Sequence, residues 1–267
     1  MTLFLHVLML FLLSGGSAKV VQNFEKECGQ FFANGKSPTT FIGSQYRQIC
    51  QTLNGVVYYA TYYDTDNKIP VYSAYRFAGL MGCTRKSNWY IEPQLDNKIL
   101  GENMASEGSV KDKNLRGVHQ ALNEDYEKSG FDRGHLAPVY LAESQSCADA
   151  TFTLTNAAPQ DRCFNRIFWW DVEEELAETL EKNCKSHSVY IVTGVVPGTV
   201  IINNRVKVPS HFWTAFCCLD QNSKCSYSGG VIGSNDSYNN IKSMTLAKFE
   251  ENLKKLYGTT TFKVFQY

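Results

Sequence analysis

The chain has few long hydrophobic runs, no surplus of charge of either sign and no zinc-type cysteine spacing, and each of these absences removes a class of protein. After residues 1–13 no stretch approaches the ~20 continuous apolar residues of a membrane-spanning helix, so no membrane span is expected in the mature chain. Lys and Arg number 26 and Asp and Glu number 26, a balance that argues against tight, passive coating of a polyanion. It does not exclude an enzyme, which needs only a local positive site. No Cys-x-x-Cys pair with suitably spaced histidines occurs, so structural zinc is not expected. Repeats and low-complexity tracts are also missing, which leaves no linker to divide the chain. With 43% hydrophobic and 13% aromatic residues over 267 positions, a single domain over residues 19–267 is expected.

The one apolar run, residues 1–13, is followed by Ser14, Gly15, Gly16, Ser17 and Ala18. It is too short to cross ~30 Å of hydrocarbon and it ends in small residues, so residues 1–18 are expected to be a signal peptide although no Lys or Arg precedes the run. A secreted, extracellular protein is the consequence. All nine cysteines lie beyond this segment, so disulfides are expected, and the odd count leaves at least one thiol outside an intrachain pair. Adjacent Cys217 and Cys218, on a strand, would point to opposite faces. Asn235, Asp236 and Ser237 form the only glycosylation sequon, expected to be accessible on a loop or helix start.

Residues 56–63 and 71–77 are rich in Val, Tyr and Ala and read as strands joined by a hairpin connection at residues 64–67. Residues 86–131 are polar and irregular, a long surface excursion of the kind that often carries function. Strict alternation over residues 151–155 predicts a half-buried strand, and Phe168, Val172, Leu176 and Leu180 recur every four residues, which predicts an amphipathic helix over 167–182. Strands are expected at 189–196, 211–219 and 227–232, a helix at about 238–257 stopped by Gly258, and a last strand at 261–265. This order, with no regular strand–helix repeat, predicts an α+β fold: a mixed, mainly antiparallel central sheet with helices packed on it.

Chemistry concentrates in residues 129–173. Hydrolysis of a phosphodiester needs a base for water, a cation beside the phosphate and donors for charge developing in the transition state. His135 has the right resting pKa, ~6.5, to serve as base. Gly134 would let a ligand approach the backbone, and Arg133 offers a planar fork for phosphate. Asp132 could instead pair with Arg133 and make the tetrapeptide an ion-paired turn. Asn165, Trp169 and Glu173 are four apart and, on a helix, would line one edge beside the apolar stripe. Singly, each has an ordinary structural role: helix cap, core aromatic, member of a solvated acidic run.

Together these segments resemble the active-site block of the DNA/RNA non-specific endonucleases, or ββα-metal nucleases. The resemblance lies in Ser-Gly-Phe-Asp-Arg-Gly-His-Leu-Ala-Pro (residues 129–138), Thr-Asn-Ala-Ala-Pro-Gln (155–160), Asn165, Trp169 and Glu173. It extends to Ile-Pro-Val-Tyr-Ser-Ala-Tyr (69–75), Asn-Trp-Tyr-Ile-Glu-Pro (88–93) and Val-Pro-Ser-His-Phe-Trp (208–213), which are similar to framework segments of that family. The resemblance implies a ββα-metal motif and a single magnesium, with manganese as the alternative ion. It implies His135 as general base, Asn165 as metal ligand, Glu173 holding the ion's waters, and Arg133 stabilising charge with Asp132 in support. Arg85 resembles a second phosphate-contacting arginine. DNA and RNA, single- or double-stranded, are the implied substrates. Two departures stand out. Ala177 occupies a position where some relatives carry arginine, and Cys163, two residues before Asn165, could anchor the metal loop through a disulfide, Cys147 being one conceivable partner. A catalytically weak extracellular binding module is the second reading, disfavoured by intact His135, Asn165 and Glu173.

Overall fold

Hydrogen-bonding pattern and alternation build a sheet first. In the computed structural model, which describes residues 19–266, the strands are β1 (Lys19–Val21), β2 (Tyr46–Leu53), β3 (Val56–Asp64), β4 (Ile69–Phe77), β5 (Tyr90–Ile91) and β6 (Ala105–Ser106). They continue as β7 (Asp132–His135), β8 (Ala157–Gln160), β9 (Ser188–Ile202), β10 (Val206–Leu219), β11 (Cys225–Ser234) and β12 (Ile241–Met244). The helices are α1 (Phe24–Cys28), α2 (Pro93–Asp96), α3 (Asn123–Tyr126), α4 (Gln145–Ala150), α5 (Trp170–Asn183) and α6 (Leu246–Tyr257). The proposed signal peptide lies outside the described residues.

Eight strands form the central sheet in the order β1-β2-β3-β4-β9-β10-β11-β12, and every neighbouring pair in it is antiparallel. Local chemistry fixes its hairpins. Asn54 and Gly55 both adopt positive φ between β2 and β3, the conformation that a two-residue hairpin turn requires and that Asn and Gly tolerate. Between β3 and β4, Asp64 Oδ1 accepts from the backbone N–H groups of Asp66 and Asn67, 3.0 Å each, which closes the expected connection.

Alternation along each strand divides the core between two faces. One face carries Tyr62, Tyr72 and Trp213 under α1 and α6, with Phe24, Phe249 and Leu253. The other carries Tyr59, Tyr75, Phe212 and Phe216 beneath α5, which contributes Val172, Leu176 and Leu180. Cys217 and Cys218 point to opposite faces as the alternation requires: Cys217 pairs with Cys225, Cys218 with Cys184, and a third disulfide joins Cys28 to Cys50. Cys83, Cys147 and Cys163 are unpaired among the described residues, so Cys163 has no disulfide to Cys147.

Four expected elements differ. Residues 151–155 are not a strand: Leu154–Asn156 is a 3-10 turn, and Thr153 alone bridges to Tyr90. Buried side chains hold that turn, with Asn156 Nδ2 donating to Thr151 O at 3.0 Å. Residues 241–244, expected to be helical, pair as β12 with β11, so the last helix begins only at Leu246. Gly258 ends it in the left-handed conformation, φ 65°, as the sequence predicts. Residues 261–265 are irregular and attach to the chain through Thr39 N donating to Lys263 O at 2.8 Å. Finally, the helix predicted from residue 167 is preceded by a turn of π-helix, Phe164–Trp169, before α5.

Candidate active site

Strands β7 and β8 pair antiparallel, Asp132 opposite Gln160 and His135 opposite Ala157, and the chain then enters the π turn and α5. The result is a strand–strand–helix unit packed on one face of the large sheet. A buried asparagine holds it there. Asn156 Oδ1 accepts from Ser73 Oγ of β4 and from Ala137 N, both at 2.9 Å, while Nδ2 donates to Ala137 O at 2.9 Å and to Thr151 O. All of the carboxamide's ordinary bonding capacity is used in tying the segment after His135 to the sheet.

Between this unit and the irregular residues 78–89 opens a cleft of about 480 Å³, and all six residues singled out by sequence line it: Arg85, Asp132, Arg133, His135, Asn165 and Glu173. Asp132 Oδ2 accepts from Asn165 Nδ2 at 3.0 Å and from Arg166 Nε at 2.7 Å, and Oδ1 accepts from Arg166 Nη2 at 2.8 Å. Asp132 therefore pairs with Arg166 and not with Arg133, and Asp132, Arg133, Gly134 and His135 form a strand instead of an ion-paired turn. Arg133 donates to Asn123 O at 3.3 Å and lies over the rings of Trp89 and Tyr126, 5.7 and 5.4 Å from their centroids.

His135 is 7% exposed and sits between two aromatic rings, 4.7 Å from Trp89 and 4.9 Å from Phe152 between centroids. Its buried Nε2 has no hydrogen-bond partner among the described residues. Desolvation, reinforced by the Arg85 guanidinium, brings the imidazole down to about 3, so the ring is neutral throughout the physiological range. Desolvation acts the opposite way on Glu173, pushing its carboxyl up to about 8 against the pull of Arg85. For Asp132, burial would raise the carboxyl, but hydrogen bonds from Arg166 and Asn165 and the charges of Arg166 and Arg162 outweigh it and hold the group below the usual carboxylate range.

Three parts of the sequence expectation change at this site. The π turn inserts one residue, so Trp169 turns into the core against Phe164 and Phe212 while Trp170, 39% exposed, takes the place at the cleft beside Asn165 and Glu173. Such insertions recur at functional sites because they re-aim side chains without ending the helix. Gly134 does not open the backbone to a ligand: a Cβ there would lie 2.2 Å from Gln160 Oε1 and 2.6 Å from Gln160 Cβ, so the glycine serves the packing of β7 on β8. The Asn235 sequon is structurally engaged, its Nδ2 donating to Pro159 O and Pro209 O at 3.0 and 2.9 Å and its Oδ1 accepting from Asp161 N at 2.8 Å. The nitrogen that a glycan would occupy is committed to the fold.

Arg166, Trp89 and Trp170 also line the cleft and were missed by sequence reasoning. Ala177 is fully buried in the core on α5 and does not line the cleft, whereas Arg166 contributes a cation at the rim.

Metal fit can be judged from the donors. Among the described residues no three His, Cys, Asp or Glu side chains group as a cage, an arrangement unlike that of a structural zinc site. Because a carboxylate only accepts, Asp132 must contact the nitrogen of the Asn165 amide, leaving Asn165 Oδ1 for the cleft. One neutral oxygen beside a carboxyl fits a hard cation that keeps most of its own water.

Residues 37–266 match the family model described as DNA/RNA non-specific endonuclease. The chain belongs to that family. This member of the DNA/RNA non-specific endonuclease family is 36% identical over 195 residues to the endonuclease domain-containing 1 protein of Homo sapiens, covering 72% of this chain and 39% of that protein. It is 34% identical over 145 residues to the mitochondrial endonuclease G of Homo sapiens, covering 49% of this chain and 48% of that one. The chain thus spans less than half the length of these relatives. A chain of the crystal structure of the EndoG/EndoGI complex superposes with a TM-score of 0.53 at 22% identity, covering 76% of this chain and 82% of that chain, a likeness of fold.

Proposed function

We propose that this protein is a secreted, magnesium-dependent endonuclease that hydrolyses phosphodiester bonds of DNA and RNA with little sequence specificity. What supports it is the convergence, on one cleft, of a neutral imidazole, an oriented carboxamide and a carboxyl, with arginines on the walls. His135, uncharged because it is desolvated, accepts the proton of the attacking water. Arg133 and Arg85 position the phosphate and offset its charge. Asp132 acts through Asn165, holding its oxygen toward the cleft. Asn165 and Glu173 would hold the divalent cation, magnesium or manganese, which when bound supplies Lewis-acid stabilisation of the phosphate. The balanced net charge of the chain suits an enzyme that concentrates its positive charge at the cleft and releases its product. Three disulfides and the apolar start of the sequence support an oxidising, extracellular setting.

The test is incubation of the purified protein with plasmid DNA and with RNA, in magnesium or in chelator, beside His135→Ala and Asn165→Ala. Cleavage is expected in magnesium alone and only in the parent. Activity that survives chelation and both substitutions would overturn the assignment, and a folded, inactive parent that still retains nucleic acid would favour the binding module.

A further inference from the structure

Residues 78–89 carry Arg85 to the cleft without regular secondary structure, and what holds them is helix α4. Thr84 N and Oγ1 both donate to Gln145 Oε1, at 2.9 and 3.1 Å, and Gln145 Nε2 donates back to Thr84 O at 3.0 Å. Two residues on, Lys86 pairs with Asp149 at 2.6 Å. Between these contacts Arg85 lays its guanidinium over Phe152, 5.5 Å from the ring centroid. The fastenings are exposed, and exposed pairs of this kind contribute little to holding a loop.

Two unpaired thiols lie along the same seam. Cys83 packs against the buried cluster that contains Cys147, Ala148 and Phe152. Its sulfur faces the carbonyl of Ala142, 3.8 Å away, and it lies near enough to the buried Cys147 for charge on one sulfur to act on the other. Two sulfurs in one apolar cluster, with Thr84–Gln145 and Lys86–Asp149 already setting the register of loop on helix, are neighbours across one packed contact.

We infer that Cys83 and Cys147 form a fourth disulfide, which fastens the Arg85 loop to α4 and so positions Arg85 over the cleft. Formation is an exchange with a small-molecule or protein disulfide. The half-exposed Cys83 is reached first and forms a mixed disulfide. Cys147 then displaces the carrier, so the two thiols lose two protons and two electrons in all and the donor disulfide is reduced to two thiols. Cys163 remains the odd thiol. The linkage does not depend on the proposed catalysis; only its kinetic consequence rests on that reading.

The full chain, incubated with oxidised glutathione, is denatured in N-ethylmaleimide without reduction, digested and mapped by mass. The expected result is a Cys83–Cys147 linked peptide beside the three established pairs, with Cys163 alone alkylated. Alkylation of both Cys83 and Cys147, or a bond from either to Cys163, overturns the linkage whether or not the protein cleaves nucleic acid. For the consequence, Cys83→Ser and Cys147→Ser are each compared with the oxidised parent. KM is expected to rise by about three- to tenfold, the scale of ordering one rotamer-rich side chain, with kcat changed little. An unchanged KM in both variants overturns the positioning of Arg85 while leaving the mapped bond to be judged on its own.

Discussion

Asp132 grips the nitrogen end of the Asn165 carboxamide at 3.0 Å, so the orientation of one side chain in the cleft is decided by another, 33 residues earlier in the chain. The same carboxylate holds Arg166 in a two-pronged contact. An amide left alone could present either end to a cation; here only the oxygen is on offer. Removing Asp132 frees the amide to rotate without touching the proposed base. In Asp132→Ala the magnesium concentration for half-maximal cleavage should rise by about 10- to 100-fold, the usual range for loss of a residue that orients a metal ligand. A magnesium titration identical to that of the parent would rule out the orienting role.

His135 carries a pH signature of unusual sign. Its folded pKa, about 3, lies below the ordinary 6.5, so between these values the unfolded chain binds the proton and the folded chain does not. Stability from this group is therefore full above about pH 6.5 and drains away as the pH falls toward 3. The chelated parent should melt at progressively lower temperature across that window, and His135→Gln should show a shallower slope. The base should also stay competent: at saturating magnesium, kcat/KM should show no acid limb near 6.5. A tenfold loss per pH unit beginning there, absent from a titration of any other group, would contradict the desolvated imidazole.

Asn156 is predicted to matter for folding and, through folding, for the site. Its replacement by alanine strands the Ala137 N–H and two carbonyls in a dry interior and leaves Ser73 Oγ with Thr61 Oγ1 alone. A loss of about 3 kcal/mol or more is expected from the unsatisfied groups, read by urea denaturation. A change under about 1 kcal/mol would mean that water or a shifted neighbour replaces the carboxamide.

Trp170 is large, apolar and exposed at the mouth of a polar cleft, its ring 5.0 Å from that of Tyr140 and tilted 55°. Such a surface suits an unpaired base. Trp170→Ala should raise KM for single-stranded substrate by about tenfold, the low-to-middle range for loss of one base-stacking ring, and affect duplex less. Equal effects on both substrates would assign the ring to packing against Tyr140 alone.

The sequence made the sheet legible wherever alternation and turn chemistry agreed, as in β3, β4, β9, β10 and β11, and it made His135, Asn165 and Glu173 legible as a block. It failed where a side chain overruled periodicity. Residues 151–155 alternate, yet Asn156 and its bonds wind Leu154–Asn156 into a turn. Trp169 and Trp170 exchange places because a π turn costs no visible change in composition. Arg166 and Trp89 reach the cleft by tertiary packing, and nothing in their immediate neighbours announces it. The sequon at Asn235 misled for the same reason: whether a carboxamide is free depends on Pro159, Asp161 and Pro209, far away in the chain.

The adjacent cysteines of β10 tie the register of the sheet to the choice of disulfide partners. A slip of one residue would hand Cys217 to the side of Cys184 and Cys218 to the side of Cys225, and the swapped bonds would then freeze the misaligned ribbon in place. Both native bonds fit only one assignment of β10 side chains to the two faces of the sheet. A single dipeptide thereby ties down the sheet on both of its sides.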